Sequence, residues 1–495
     1  MMMRFLRLVL PSRLLSLNRF LGFHRFSTSH SHIIKKNNNN KNRSFSPRYF
    51  STHSSLEQLK TPKLTEQQQL VLKDVSKGKS VFITGSGGTG KTFLLKQVVN
   101  LLKQQVHKPD EVFVTASTGV AACALNGQTL HSFAGIGLGE DDEEELLSRV
   151  CKNKLAFQRW KKVKALVIDE ISMISGELFD KLEYIAEMCR PKKRGKTWGG
   201  IQLIVSGDFF QLPPIIRNGN DDIKEFAFEA GCWNDSFDLQ LELTRVFRQS
   251  DSQFIELLQG IRKGHRDANK LKLLDKCCLN GLVNVPSDVP RLFPRNDDVK
   301  RLNNERLKNL GKEIVSYKAV DKGVNPWRNQ LQQGIAPDVL EICLGARVML
   351  IKNKDVEAGL VNGAVGTVIG FDRDYASKVL RKMCAECLRP KVRFDSGVEM
   401  VIEPDTWEVM EGNEVQAQRG QIPLILAWAV SIHKCQGMTL DRMQTDLSRA
   451  FGCGMVYVAL SRVRSLDGLY ISGFSSSKIK AHPKVLQFYE GQVGS

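Results

Sequence analysis

The chain has 495 residues, 42% of them hydrophobic and 25% charged, with a formal net charge of +18. That length exceeds one ordinary core and implies two to four domains. No run approaches the ~20 apolar residues of a membrane-spanning helix, and eleven scattered cysteines argue against a disulfide framework and fit a reducing compartment.

Residues 1–56 hold seven Arg and three Lys and no Asp or Glu, so about +10 of the charge lies there. Met1–Phe26 sets Arg4, Arg7, Arg13, Arg19 and Arg25 among Leu and Phe, a basic amphipathic pattern. Arg-rich, Ser-rich and acid-free composition is that of an organelle transit peptide. A secretory signal would need a longer apolar core, and a plain basic tail is the bland alternative. Arg48-Tyr49-Phe50-Ser51 has the form of a matrix-protease cleavage site, and Asn37–Asn40 that of linker. The expected address is the mitochondrial matrix, nucleoid-associated, with a nuclear pool left open. The rest of the chain keeps about +8, which favours a polyanionic partner.

A helix is expected after Leu64, with Thr65 as N-cap. Gln68 within it could read an adenine edge through its amide. Next, the apolar run Val81–Thr84 leads into Gly85-Ser86-Gly87-Gly88-Thr89-Gly90-Lys91-Thr92 and then the helical spacing of Phe93–Val99. Strand, glycine-rich turn and helix form a phosphate-binding loop whose N–H groups face phosphate oxygens. Lys91 would reach the β- and γ-phosphates, and Thr92 would ligate Mg²⁺. Val112–Thr115, Ala165–Ile168, Gln202–Val205 and Ile425–Trp428 read as further buried strands of a parallel α/β sheet. Asp169 and Glu170 follow one of them directly, placing a Mg²⁺-holding acid and a water-polarising base at the sheet edge. Gln211, in Ser206-Gly207-Asp208-Phe209-Phe210-Gln211, suits a γ-phosphate sensor. Arg248 and Arg462 suit fingers that neutralise charge developing on that phosphate. The acid run Glu140–Glu145 fits a solvated helix start. Lys192–Lys196 fits either a nucleic-acid backbone contact or a solvated loop. Cys384 and Cys387 form a lone C-x-x-C with no second pair for zinc.

Taken together, LTEQQQLVL, GSGGTGKT, TASTGVAACALNGQTLHSFAGIGLG, ALVIDEISM, GGIQLIVSGDFFQLPP, LTRVFRQ, LGARVMLIKN, GLVNGAVGTVIGF, PLILAWAVSIHKCQGMTLD and VYVALSRVRSL resemble the Pif-type (petite integration frequency) DNA helicases of superfamily one, class B. The resemblance covers residues 60–490 and implies an α/β fold of two RecA-like P-loop NTPase domains with ATP between them. The expected organisation is a transit peptide over 1–50 and a linker over 51–60. A first RecA-like domain over 61–236 carries a small wedge insertion at about 134–160. A second RecA-like domain covers 237–340 and 421–480, with an inserted β-barrel of the Src-homology type at 341–420 and a tail at 481–495.

The resemblance also implies that ATP contacts Gln68 and Gly85 through Thr92, and that Lys91, Glu170, Gln211, Arg248 and Arg462 are catalytic. Mg²⁺ would be held by Thr92 and Asp169. Single-stranded DNA would meet Thr118, His131, Ser132, Phe133, Ser431, His433, Lys434, Gln436 and the run Tyr457, Val458, Ala459, Leu460, Ser461 and Arg462. Phe133 is equally readable as core. The implied activity is ATP-dependent 5′→3′ unwinding of single-stranded and forked DNA by a monomer or weak dimer. Mitochondrial replication and repair proteins are its implied associates. A nucleotide-gated single-strand binder and an RNA translocase share the motifs.

Overall fold

The computed structural model describes residues 64–493 apart from 215–223, 284, 287, 326, 333–335, 356–357 and 412–413. The leader, its cleavage sequence and the 51–60 linker lie outside the described residues. Helix α1 (Glu66–Ser76) starts at Thr65 as expected. The Thr65 hydroxyl accepts the Gln68 N–H while the Gln68 carboxamide accepts the Thr65 N–H, satisfying two amides reciprocally.

Strands β1 (Val81–Gly85), β2 (Val112–Ala116), β3 (Gln128–Thr129), β4 (Ala165–Asp169), β5 (Gln202–Ser206) and β6 (Leu239–Leu243) form one parallel sheet in the order β3-β2-β4-β5-β1-β6. The boundary expected at 236/237 is corrected: β6 pairs with β1, so the first domain reaches Leu243. Every residue of β1, β2, β4 and β5 is buried, which is why these runs are apolar throughout instead of alternating. Because β4, β5 and β1 are neighbours, Asp169, Ser206 and Gly85 end side by side. A crevice at those carboxyl ends is where open α/β sheets bind ligands. Helix α2 (Lys91–Leu101) leaves from it, entered through Gly90 in the left-handed region.

The wedge expected at 134–160 is a pair of helices, Glu143–Lys152 and Lys154–Lys162, joined at Asn153. Asp142 caps the first, and Glu143, Glu144 and Glu145 fill its first turn, complementing the helix dipole. Leu146, Val150 and Trp160 lock the pair onto the first domain's core. Lys192–Lys196 is an exposed segment.

The second parallel sheet runs Ala429–Ser431, Arg291–Phe293, Met443–Asp446, Leu469–Gly473. The expected strand at Ile425–Trp428 is corrected here. Leu424–Leu426 pairs antiparallel with Arg347–Leu350, and the parallel strand begins only at Ala429. The chain crosses between sheets inside one apolar run: Ala427 is buried in the second domain's core and Trp428 in the insertion's. Burial on both sides hides such a crossing from hydropathy.

The insertion is also wider than 341–420. Val315–Lys318 and Val320–Gly323 precede that range, yet pair with Val339–Ile342 and Glu414–Gln421. Among the described residues the barrel is realised as antiparallel sheets of five, three and two strands. Cys384 and Cys387 are buried free thiols in its core.

The segment expected as a tail at 481–495 is instead a helix, Pro483–Val493, packed into the first domain. Val485, Phe488 and Tyr489 recur at helical spacing on one face. Phe488 stacks on Phe228 at 4.3 Å between centroids and Tyr489 on Phe210 at 4.8 Å. The Tyr489 hydroxyl lies 2.6 Å from Thr84 Oγ1, one residue before the glycine-rich turn.

Candidate active site

The Gly85–Thr92 turn curls because its glycines accept conformations and contacts closed to other residues. Gly88 has φ of 92°, and a Cβ there would meet Arg248 Cβ at 2.7 Å. Lys91 bends back over the turn, its ammonium donating to Gly85 O at 2.6 Å and Ser86 O at 3.2 Å. Burial lowers its pKa, against the pull of Asp208, Glu170 and Asp169. A cavity of about 390 Å³ opens beside it, lined among others by Gly87, Thr92, Glu170, Gln211, Arg248 and Arg462.

Asp169 is buried at the end of β4 and accepts the Glu170 N–H at 2.9 Å. Burial raises its pKa. Glu170 adopts φ of 54°, a conformation uncommon outside glycine that turns its carboxylate into the cavity. Burial and then the neighbouring Asp169 push its pKa up to about 7. Gln211 donates to Asp208 Oδ2 at 3.4 Å and accepts from Gln436 Nε2 at 3.3 Å, and the same Gln436 amide lies 3.5 Å from Glu170 Oε2.

The opposite wall comes from the second domain. Arg248 donates from Nε to Thr439 Oγ1 at 3.0 Å and from NH1 to Ser461 O at 2.8 Å. Arg462 donates to Val458 O at 2.9 Å and Ser461 Oγ at 2.7 Å. Both guanidiniums point at Gly87, where a Cβ would lie 3.2 Å from Arg462 NH2 and 3.4 Å from Arg248 NH1. Burial and then Arg462 bring the Arg248 pKa down to about 9. On the other flank, Gln68 Nε2 and the Phe247 ring approach Gly90 at 3.3 and 3.7 Å from a Cβ position. The Gln68 carboxamide oxygen is already committed to the α1 cap.

Residues assigned to DNA from the resemblance divide by burial. Thr118, His131 and Ser132 are half-buried, and His433 and Lys434 are exposed, so these five keep surface to offer. Phe133 has none. It is packed between Phe113 and Trp160 at 5.1 and 4.9 Å, which settles it as core. Ser431, Tyr457, Val458, Ala459, Leu460, Ser461 and Arg462 are also buried. Tyr457 accepts the Gly87 N–H at 2.7 Å, and Gln436 bridges Glu170 and Gln211. These segments therefore face the cavity or the core, since a short helix cannot present one set of atoms to both sides.

Reading the sequence missed the charge pair beneath the site. Arg262 donates to both Asp208 oxygens at 2.9 to 3.3 Å and to Glu242 at 2.9 Å, and stacks over Phe210 and Tyr489. Burial would lower the Arg262 pKa, and the Asp208 carboxylate more than reverses it. The two residues are 54 positions apart, and only the acid in Gly207-Asp208-Phe209 hinted at a partner. Both side chains are almost wholly inaccessible, so removing one leaves a buried charge unpaired. Arg262→Met should destabilise the fold by about 3–5 kcal/mol, and adding Asp208→Leu should recover most of that. Denaturant titration checks this; a single-variant loss under about 1 kcal/mol would mean that the pair behaves like a surface one.

Known proteins share this sequence pattern and fold. The PIF1-like helicase model matches residues 63–272, and that for the 2B domain of the DNA helicase Pif1 matches 328–371. The ATP-dependent DNA helicase PIF1 of Xenopus laevis is 43% identical over 89% of this chain, which covers 66% of that relative's length, slightly under two thirds. The crystal structure of the Candida albicans Pif1 helicase superposes with a TM-score of 0.69 at 38% identity, covering 87% of this chain and 100% of that one. A Bacteroides Pif1 helicase in complex with ADP-AlF3 and single-stranded DNA gives 0.58 at 28% identity, covering 88% and 98%. On this likeness, and on the full span of the Candida structure, the chain belongs to the PIF1-like helicase family.

Proposed function

We propose that this chain is an ATP-driven 5′→3′ DNA helicase that moves on single-stranded DNA and opens duplexes at forks. The observation that carries the reading is the meeting of Arg248 and Arg462 from one RecA-like domain over Gly87 of the other's phosphate loop. A nucleotide bound there is contacted from both sides, so hydrolysis relaxes the very contacts that hold the domains together. The Bacteroides helicase with ADP-AlF3 and single-stranded DNA supports a nucleotide in this cleft and DNA across the same fold. The 5′→3′ direction rests on the family resemblance.

In this reading the loop amides and Lys91 grip the β- and γ-phosphates, and Glu170 orients and polarises the attacking water. A carboxylate whose pKa is raised to about 7 is a stronger base than an ordinary one. Gln211 reports the γ-phosphate through its amide, and the two arginines neutralise charge as it develops. Mg²⁺ fits the donors present, a hydroxyl at Thr92 and a buried carboxylate at Asp169 whose own environment favours gaining a positive neighbour. Bound there, it would neutralise phosphate charge.

DNA would meet Thr118, His131, Ser132, His433 and Lys434, assigned residues that keep exposed surface. Lys91→Ala should abolish strand displacement on a 5′-tailed duplex while leaving single-strand affinity within about threefold. Wild-type protein should leave a 3′-tailed duplex closed. Unwinding by the variant, or equal unwinding of both tails, would sink the reading.

The acid-free leader supports action in the mitochondrial matrix, in replication, repair and recombination of its DNA, as a monomer or weak dimer alongside other maintenance proteins. Residues 1–56 fused to a fluorescent reporter should carry it into mitochondria, and a diffuse reporter would contradict that address.

A further inference from the structure

The short helix Met455–Leu460, which leads into Arg462, is keyed into the first domain at two points before that arginine is reached. At its N-terminus Gly454 lies so close to the sensor segment that a Cβ would sit 2.3 Å from Gln211 O and 2.6 Å from Phe210 O. One turn later, Tyr457 reaches the phosphate loop and accepts the Gly87 N–H at 2.7 Å. The Arg462 side chain is folded against its own helix through Val458 O and Ser461 Oγ, and Arg248 is tied to the same turn through Ser461 O. Where this helix sits therefore decides where both guanidiniums sit.

Gly87 is also the loop residue that the two guanidiniums approach. One peptide unit thus receives the tyrosine hydroxyl on its N–H and the arginines at its Cα. We propose that Tyr457 is a positioning residue whose hydroxyl, by taking the Gly87 N–H, sets the register of Arg462 on the phosphate loop. The proposal rests on the reading of those arginines as fingers. The phenol is held neutral, since burial pushes its pKa up to about 12, so it stays a hydrogen-bonding group at working pH. A misplacement of about 1 Å at a reacting centre can cost on the order of 100-fold in rate, whereas a lost neutral hydrogen bond shifts binding only slightly.

The test is a kinetic cycle on the full chain with saturating single-stranded DNA, using Tyr457→Phe, Arg462→Ala and the double variant. Tyr457→Phe keeps the ring, so its unfolding midpoint should match wild type and exclude a folding defect. Its kcat should fall by about tenfold or more with KM for ATP within about twofold. On the Arg462→Ala background the same change should cost less than about twofold, because the finger it positions is gone. A raised KM with kcat intact would instead make Tyr457 a nucleotide ligand and overturn the proposal. So would a full loss repeated in the double variant, or no loss at all beside a crippled Arg462→Ala. Wild-type turnover by Arg462→Ala itself would remove the finger reading, and this proposal with it.

Discussion

Two guanidiniums held side by side against a glycine turn are the constraint on which the rest of the structure depends. Among the described residues, Arg248 and Arg462 end on carbonyl and hydroxyl oxygens and on no carboxylate. Burial, and after it the like charge of Arg462, bring the Arg248 pKa down to about 9. What relieves that cost is an anion placed between them and the loop. In the proposed reading a triphosphate in this cavity would satisfy both walls at once, and its cleavage would leave them unsatisfied. On that reading the cleft would hold one charge state tightly and loosen when that charge leaves.

Holding such a cleft in register takes more than its lining. The buried Arg262–Asp208 pair spans from the helix Ser252–Arg262 to the sensor segment, and Asp208 in turn holds the Gln211 amide. Gln436 extends the chain to Glu170. A continuous polar path therefore links the second domain's first helix to Gln211 and to Glu170. The C-terminal helix closes the base of this path, with Tyr489 against Thr84, Phe210 and Arg262 together.

Local chemistry made much of this legible before any fold was drawn. Strand, glycine turn and helix are contiguous, so Gly85–Thr92 needs no tertiary information, and Asp169 and Glu170 announce themselves as acids after four buried residues. Contacts between distant segments were not legible. Arg262 sits in an ordinary amphipathic helix, and nothing local marks it as the partner of Asp208. Phe133, Tyr457 and Gln436 lie in motifs that the resemblance assigned to DNA, and only packing shows which side each faces. The apolar run at 425–428 crosses between two cores, and hydropathy cannot tell one core from another.

The central claim is that the second domain supplies charge to a nucleotide held by the first. The most direct measurement is single-turnover ATP hydrolysis by Arg248→Ala on saturating single-stranded DNA, paired with nucleotide affinity without DNA. The account predicts a rate loss of about 10³-fold or more with affinity changed by less than about threefold. Hydrolysis near the wild-type rate would contradict it, and would leave the phosphate loop and its acids as a site complete within one domain.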